Sequence, residues 1–309
     1  ITRTIESARA DKLTVTCAAA ARVALDVRDG RGAHLPCKVA FHGIDGTASP
    51  NFFPETGEHV VRNLCYAHNG RPVRILPPGR YELIISHGPE YSCVRRTVEA
   101  AAGKTVKVEA QLRRVVETPG WISADMHNHS TVSGASEVFY VYPYHKCPSV
   151  DGDSTASQRG RVLNLLAEQI EFAVPTEHNF ISSFEPHLKA LEAESLMATC
   201  PGIGLTAGRR HTLSHQNVFP VVHVPGKQDG GALQRPEHIR QLEWMLEWND
   251  GAQKVVQIAW PRRDALELRP GMEVIDVQAL EPVVEGRPIA GIDNRILEWV
   301  EKLNAGYHL

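Results

Sequence analysis

The sequence predicts a two-domain chain in which a small all-β sandwich precedes an α/β domain of βα units around a mainly parallel sheet or barrel. Residues 22–114 place apolar side chains at every second position and show no convincing helical stripe. Residues 119–309 instead alternate short apolar runs with amphipathic stretches. The length of 309 residues allows each part its own hydrophobic core. We therefore predict domains at residues 1–118 and 119–309.

The strands of the first domain follow from alternation. Val23, Leu25 and Val27 alternate with Ala, Asp and Arg, and residues 106–112 repeat the pattern. Turn dipeptides separate the strands: Asp29-Gly30, Asp45-Gly46, Asn69-Gly70 and Pro78-Gly79. Residues 76–83 resemble the closing hairpin of carboxypeptidase-regulatory-like or transthyretin-like sandwich modules. That resemblance implies an accessory or substrate-presenting domain. We favour a packing partner for the second domain and assign this domain no chemistry.

The elements of the second domain follow from its apolar runs. Strands are predicted at residues 121–127, 172–176, 203–206, 218–224, 255–259 and 273–279. Residues 157–170 carry apolar side chains on one face, which predicts a helix packed on the outside of the sheet. Residues 236–248 predict a second such helix, with a proline in its first turn.

Composition excludes several classes of protein. The formal charge of -3 comes from mixed signs without a basic stripe, so we expect no nucleic-acid partner. No apolar run approaches the roughly 20 residues of a membrane span. The chain begins at Ile1 without a leader, so we expect a processed or trimmed, soluble protein. Its 6 cysteines form no C-x-x-C pair; disulfides in an exported protein, periplasmic or extracellular, and buried thiols are equally compatible, so the compartment stays open.

A histidine motif at the end of the first predicted strand carries the strongest chemical signal. Asp125, His127 and His129 lie two residues apart, so their side chains project to the same side of a strand. Two imidazoles there can chelate one transition metal, and a carboxylate can orient a histidine. The alternative is a pair of solvated histidines that bind no metal. Because H-x-H also occurs by chance, the two interpretations are about equally compatible with this motif alone.

Two further polar motifs occupy strand ends. Glu177 and His178 follow the apolar run at residues 172–176, and His215 precedes the run at residues 218–224. In barrel enzymes, strand ends hold the active site. Three such motifs favour a metal pocket over solvated histidines.

These motifs together resemble a metallohydrolase domain of the PHP superfamily (polymerase and histidinol phosphatase), in its CehA/McbA-like branch. Residues 125–130 are similar to its D-L-H-x-H-[ST] motif, residues 176–179 to T-[DE]-H-N, and residues 214–220 to G-H-x-N-x-[FY]-P. The resemblance extends over residues 121–309. It implies a distorted (β/α)7 barrel that binds one to three divalent metals.

The resemblance also implies a reaction and roles for particular residues. The reaction is hydrolysis of phosphoesters, or of carboxylic or carbamate esters, by a metal-bound hydroxide, with Zn, Mn or Fe as the ion. Metal ligands are implied at His127, His129, His178 and His215. Asp125 and Glu177 are implied as the catalytic carboxylates that handle protons. A small-molecule or glycan-like compound is the expected substrate, and His145 and Lys146, in a polar loop, are candidates for binding its anionic group.

Three departures from the family pattern indicate a reduced site. Gly204 stands where the family has a bridging glutamate, and Trp260 stands where it commonly has a ligand histidine. The last ligand strand would lie beyond Leu309, so we expect a barrel incomplete at its C-terminus and fewer ions than the family norm.

Two alternatives to an active hydrolase remain. A catalytically degenerate domain would serve as a module that binds a glycan, a peptide or a partner protein. An incomplete barrel would expose a sheet edge and an apolar surface, which predicts homo-oligomerisation.

Overall fold

The computed structural model describes most of the first predicted domain and parts of the second. The described residues are 19–52, 62–132, 156–205, 216–232, 252–258, 275–276, 281–284 and 287–288. Several predictions concern residues outside these ranges: the helix at 236–248, the substrate-binding residues His145 and Lys146, the ligand His215, and Trp260.

The first part of the chain is built from strands. They are β1 (Ala21–Arg28), β2 (Cys37–Ile44), β3 (Leu64–Ala67), β4 (Val73–Leu76), β5 (Gly79–Ser86), β6 (Val94–Ala100) and β7 (Thr105–Gln111). They form a three-stranded sheet, β4-β1-β7, and a four-stranded sheet, β3-β2-β5-β6. β1 runs parallel to β7, and the other pairs in these two sheets are antiparallel.

One hydrophobic core joins these two sheets. The side chains of Val23, Leu25 and Val27 on β1 are buried, as the alternation in the sequence predicts. They share a cluster with Phe41 from β2 and Tyr81 from β5. The Tyr81 ring is fully buried, and its hydroxyl donates a hydrogen bond to the Pro77 carbonyl at 2.8 Å. A buried phenol needs such an acceptor, so this bond fixes the chain entering β5.

The described ranges of the second part mix short strands with two α-helices. They are β8 (Ala124–Asn128), α1 (Gln158–Ala167), β9 (Phe172–Pro175), α2 (Glu185–Ala190), β10 (Ala198–Thr199), β11 (Ile203–Leu205), β12 (Gln216–Phe219), β13 (Val255–Ile258), β14 (Ile275–Asp276), β15 (Glu281–Val284) and β16 (Arg287–Pro288). Three separate three-stranded sheets result, in the orders β10-β9-β8, β11-β12-β13 and β14-β15-β16.

The predicted α/β fold with a distorted (β/α)7 barrel is wrong for the described residues. Among the described strands of the second part, β8, β9 and β10 pair in parallel, whereas β11, β12 and β13 pair antiparallel. A (β/α)n barrel needs a continuous parallel sheet, with a crossover of a dozen or more residues between neighbouring strands. Over the described ranges the chain is instead mainly β-sheet, with α1 and α2 as its α-helices.

Helix α1 belongs to the second part of the chain and packs against the first. It lies within the predicted stretch 157–170, and the Ser157 hydroxyl caps its N-terminus by accepting from the Gly160 amide at 3.0 Å. Leu165 and Leu166 are buried in the core of the second part, and Tyr66 of β3 packs against that same core. The β-sandwich is therefore docked on α1. No helix in the described ranges has both the length and the apolar character of a membrane span.

Candidate metal centre

The ring nitrogens of His127 and His129 lie next to each other at the end of β8. Their Nε2 atoms are 3.1 Å apart, and their ring centroids are separated by 5.0 Å. Both side chains are partly buried. Residues two apart on a strand share a face, so this pairing follows from the sequence spacing.

His178 adds a third imidazole to this pair. Its ring centroid lies 4.6 Å from that of His129, with the two planes at 77°. The residue follows β9 and forms a parallel β-bridge with Gly204. We call His127, His129 and His178 the histidine cluster.

Backbone contacts between β8 and β9 bring the cluster together. The Asn128 amide donates to the Thr176 hydroxyl at 2.8 Å, and the Thr176 amide donates to the Asn128 carbonyl at 2.9 Å. Asn128 and Thr176 are both buried, so water does not compete for these bonds. After them, Asn179 adopts a left-handed conformation with φ of 57°, and its amide donates to the Gly204 carbonyl at 2.8 Å. The loop that carries His178 is thus held at both ends.

Glu177 is fully buried and directly precedes His178 in the sequence. It accepts a 2.8 Å hydrogen bond from the Ser130 amide and a second, short one from the Ser130 hydroxyl. Burial raises the pKa of Glu177, while the Ser130 bonds and the Arg161 guanidinium oppose that rise. A carboxyl group with a raised pKa suits proton transfer. Through its bonds to Ser130, Glu177 also fixes the loop after β8.

Asp125 contacts the backbone of its own strand. Its Oδ1 accepts from the His127 amide at 3.1 Å, and the side chain is partly buried. The structure thus places Asp125 where it supports the chain at His127.

Two residues that the sequence did not assign to the site support it from other elements. Arg161 on α1 donates from Nε to the His129 carbonyl at 3.0 Å. Asn217 on β12 is buried and donates from Nδ2 to the Met126 carbonyl at 3.2 Å. The family motif at 214–220 includes Asn217, so that signal was present. Arg161 carries no local signal, because its role depends on how α1 packs.

Gly204 lies in close backbone contact with the loop of the cluster. A Cβ atom at this position would be 2.4 Å from the Thr176 carbonyl oxygen and 3.5 Å from Asn217 Oδ1. Its amide donates to the Glu177 carbonyl at 3.0 Å. The glycine therefore allows a backbone approach that any side chain would block, and a bridging carboxylate does not fit here.

The described residues fit a metal ion in part. Two imidazole nitrogens bound to one tetrahedral zinc, each at about 2.0–2.1 Å, lie about 3.3 Å apart, close to the 3.1 Å between His127 and His129. Over the described ranges, however, no three His, Cys, Asp or Glu side chains converge on one point that would hold an ion. His178 must turn, or a ligand must come from residues outside those ranges, to complete a three-ligand site.

Comparisons with known proteins identify no family for this chain and find only weak structural likeness. No family model matches the chain, and no curated protein does. GBS52, the minor pilin of Streptococcus agalactiae, is 17% identical over 34% of this chain and 49% of its own, with a TM-score of 0.27. The Bacillus anthracis TIE protein is 11% identical over 36% of this chain and 19% of its own, with a TM-score of 0.23. The group B streptococcus pilus 2b backbone protein is 15% identical over 32% of this chain and 43% of its own, with a TM-score of 0.24. This chain thus spans less than half the length of each. Likeness of this strength indicates neither a shared family nor a shared activity.

Proposed function

We propose that the histidine cluster is a mononuclear metal centre, with Zn, Mn or Fe, that hydrolyses ester, carbamate or phosphoester bonds. The observation that carries this proposal is the 3.1 Å separation of the His127 and His129 Nε2 atoms, which suits two ligands of one ion. The resemblance of the motifs to PHP-type hydrolases supplies the reaction class. His178, in ring contact with His129, is the proposed third ligand.

The proposal is limited to one ion because of Gly204. Two-metal hydrolases hold their ions about 3.5–4 Å apart, commonly with a bridging carboxylate. The close contact between Gly204 and the Thr176 carbonyl leaves no room for such a side chain. Three protein ligands and one open position are sufficient for a catalytic zinc.

Each residue then has a role in the proposed reaction. A bound divalent ion supplies Lewis acidity and lowers the pKa of water. His127 and His129 bind it from the end of β8, and Arg161 fixes the His129 carbonyl. Glu177, whose pKa burial raises, would exchange a proton during the reaction, and Ser130 would orient its two oxygens.

Turnover by zinc-loaded protein tests this function. We expect hydrolysis of at least one of p-nitrophenyl acetate, an aryl carbamate and p-nitrophenyl phosphate. His129→Ala should lower kcat/KM by about 100-fold or more, because it removes the ligand in contact with both other imidazoles. His42→Ala, at an exposed position of β2, is the matched control and should leave turnover unchanged.

Glu177→Gln separates proton transfer from metal binding. Glutamine keeps the shape and can still accept from the Ser130 amide, so the variant should retain its zinc while kcat falls. Equal turnover in wild type and His129→Ala, or no turnover of any substrate by the zinc-loaded wild type, would contradict the proposed hydrolase.

A second candidate is a non-catalytic module that binds a glycan, a peptide or a partner protein. The contact at Gly204 favours it, because the site lacks the carboxylate of a two-metal enzyme. Stoichiometric zinc in a protein that turns over none of the three substrates would favour this candidate.

A further inference from the structure

His87 lies where the β-sandwich meets the second part of the chain. It follows β5, its side chain is 5% exposed, and its ring packs edge to face on Tyr91 at a centroid distance of 4.7 Å. The next residue, Gly88, touches the end of α1 so closely that a Cβ there would lie 2.4 Å from the Glu168 carbonyl oxygen. We call residues 87–91 and 166–171 the seam.

The imidazole is held in a place that disfavours its charged form. His87 Nδ1 is buried and has no hydrogen-bond partner among the described residues, and Gln169 Oε1 is in the same situation. Burial lowers the pKa of His87, while the Ala167 carbonyl and the Glu168 carboxylate oppose that shift. A cavity of about 190 Å³ adjoins the ring and extends between the two parts.

The carboxylates around the seam already have partners. Glu168 pairs with Lys38 of β2. Glu90 accepts from Arg114 and from Gln169 Nε2, the latter at 2.6 Å. The other ionisable groups that line the cavity are His34, which pairs with Asp26, and Glu171, which accepts from the Ser123 amide, together with Tyr91 and Arg114. A protonated His87 would therefore enter a region whose acidic groups are already paired.

We propose that His87 makes the docking of the β-sandwich on α1 sensitive to acid, so that protonation of the imidazole opens the seam. A protonated ring has two N–H donors and needs an acceptor for each. Water can fill these positions once the contact at Gly88 separates. The cavity gives water a route to the ring.

Proton binding by His87 makes the stability of the closed seam depend on pH. In the open seam His87 titrates near its usual value of 6.5, and in the closed seam it titrates lower. Between those two values the open form binds more protons, so the closed seam loses stability as the pH falls below about 6.5 and regains it as the pH rises.

Hydrogen exchange measured by mass spectrometry on the full chain tests this inference. After correction for intrinsic rates, protection of α1 amides should fall by up to roughly tenfold between pH 7.5 and 5.5, while β5, inside the sandwich, keeps its protection. His87→Phe keeps an aromatic ring but cannot titrate, so its α1 protection should not change with pH. His42→Gln, at an exposed histidine, should behave as wild type.

A second measurement does not depend on the folding of any variant. The ring-proton signal of His87 in wild-type protein should titrate with a pKa below 6.5. A titration at or above that value would overturn the proposal. So would the same loss of α1 protection in His87→Phe, because the histidine cluster or other groups would then be responsible.

Discussion

Replacing Gly204 by alanine tests how the histidine cluster is built. The new methyl group would lie 2.4 Å from the Thr176 carbonyl oxygen and 3.2 Å from the Thr176 carbonyl carbon. Both atoms belong to the backbone, so no side chain can rotate away to relieve the clash. The loop that carries His178 must therefore move away from β11.

The expected loss of stability combines two effects. Overpacking in a buried region costs about 1–3 kcal/mol. Movement of the loop also breaks the bond from the Gly204 amide to Glu177, at 3.0 Å, and the bond from the Asn179 amide to Gly204, at 2.8 Å. At about 1 kcal/mol for each bond, the total is about 3–5 kcal/mol.

Urea unfolding followed by circular dichroism measures this change. Gly30→Ala is the matched control, because a Cβ at Gly30 would meet no atom within 4 Å. The Gly204 variant should unfold at a clearly lower urea concentration than the Gly30 variant. A Gly204→Ala protein within about 0.5 kcal/mol of wild type would refute the close backbone contact, since surface changes fall in that range.

Three further substitutions test other contacts. Ser130→Ala removes a donor to the buried carboxylate of Glu177, so urea unfolding should show a loss of about 1–3 kcal/mol at pH 7.5. Because the charged carboxylate causes the loss, it should shrink as the pH falls toward 4.5, the usual pKa; a constant loss would contradict the bond. Asn179 has φ of 57°, so Asn179→Ala should be about 1 kcal/mol less stable than Asn179→Gly in thermal unfolding, and equal melting temperatures would count against it. Tyr81→Phe leaves the Pro77 carbonyl without its donor and should lower the free energy of unfolding by about 0.5–1.5 kcal/mol, whereas an unchanged urea midpoint would exclude that contribution.

Strands β1 and β7 were predictable because each alternates buried and more exposed side chains. Alternation at Val23, Leu25 and Val27 marks β1 directly. The second part was harder, because a short apolar run does not reveal which neighbour it pairs with. Residues 203–206 and 218–224 were predicted as strands of a parallel sheet, yet β11 and β12 pair antiparallel. Strand direction depends on distant contacts, and so the barrel prediction failed.

The candidate site shows the same division between local and distant information. The proximity of His127 and His129 follows the spacing of two residues in the sequence, although His129 lies one residue beyond the end of β8. The approach of His178 depends on the pairing of β8 with β9, which no local pattern encodes. The sequence showed that Gly204 lacks a ligand group, whereas the structure adds that its position has no room for one.

Isothermal titration calorimetry of chelator-treated protein measures whether the histidine cluster binds zinc. We expect about one zinc per chain in the wild type and in His42→Ala, with no measurable binding in His129→Ala. Wild-type protein that binds no zinc would show that the cluster is not a metal centre. A His129→Ala variant that binds zinc with unchanged stoichiometry and affinity would place the ion elsewhere.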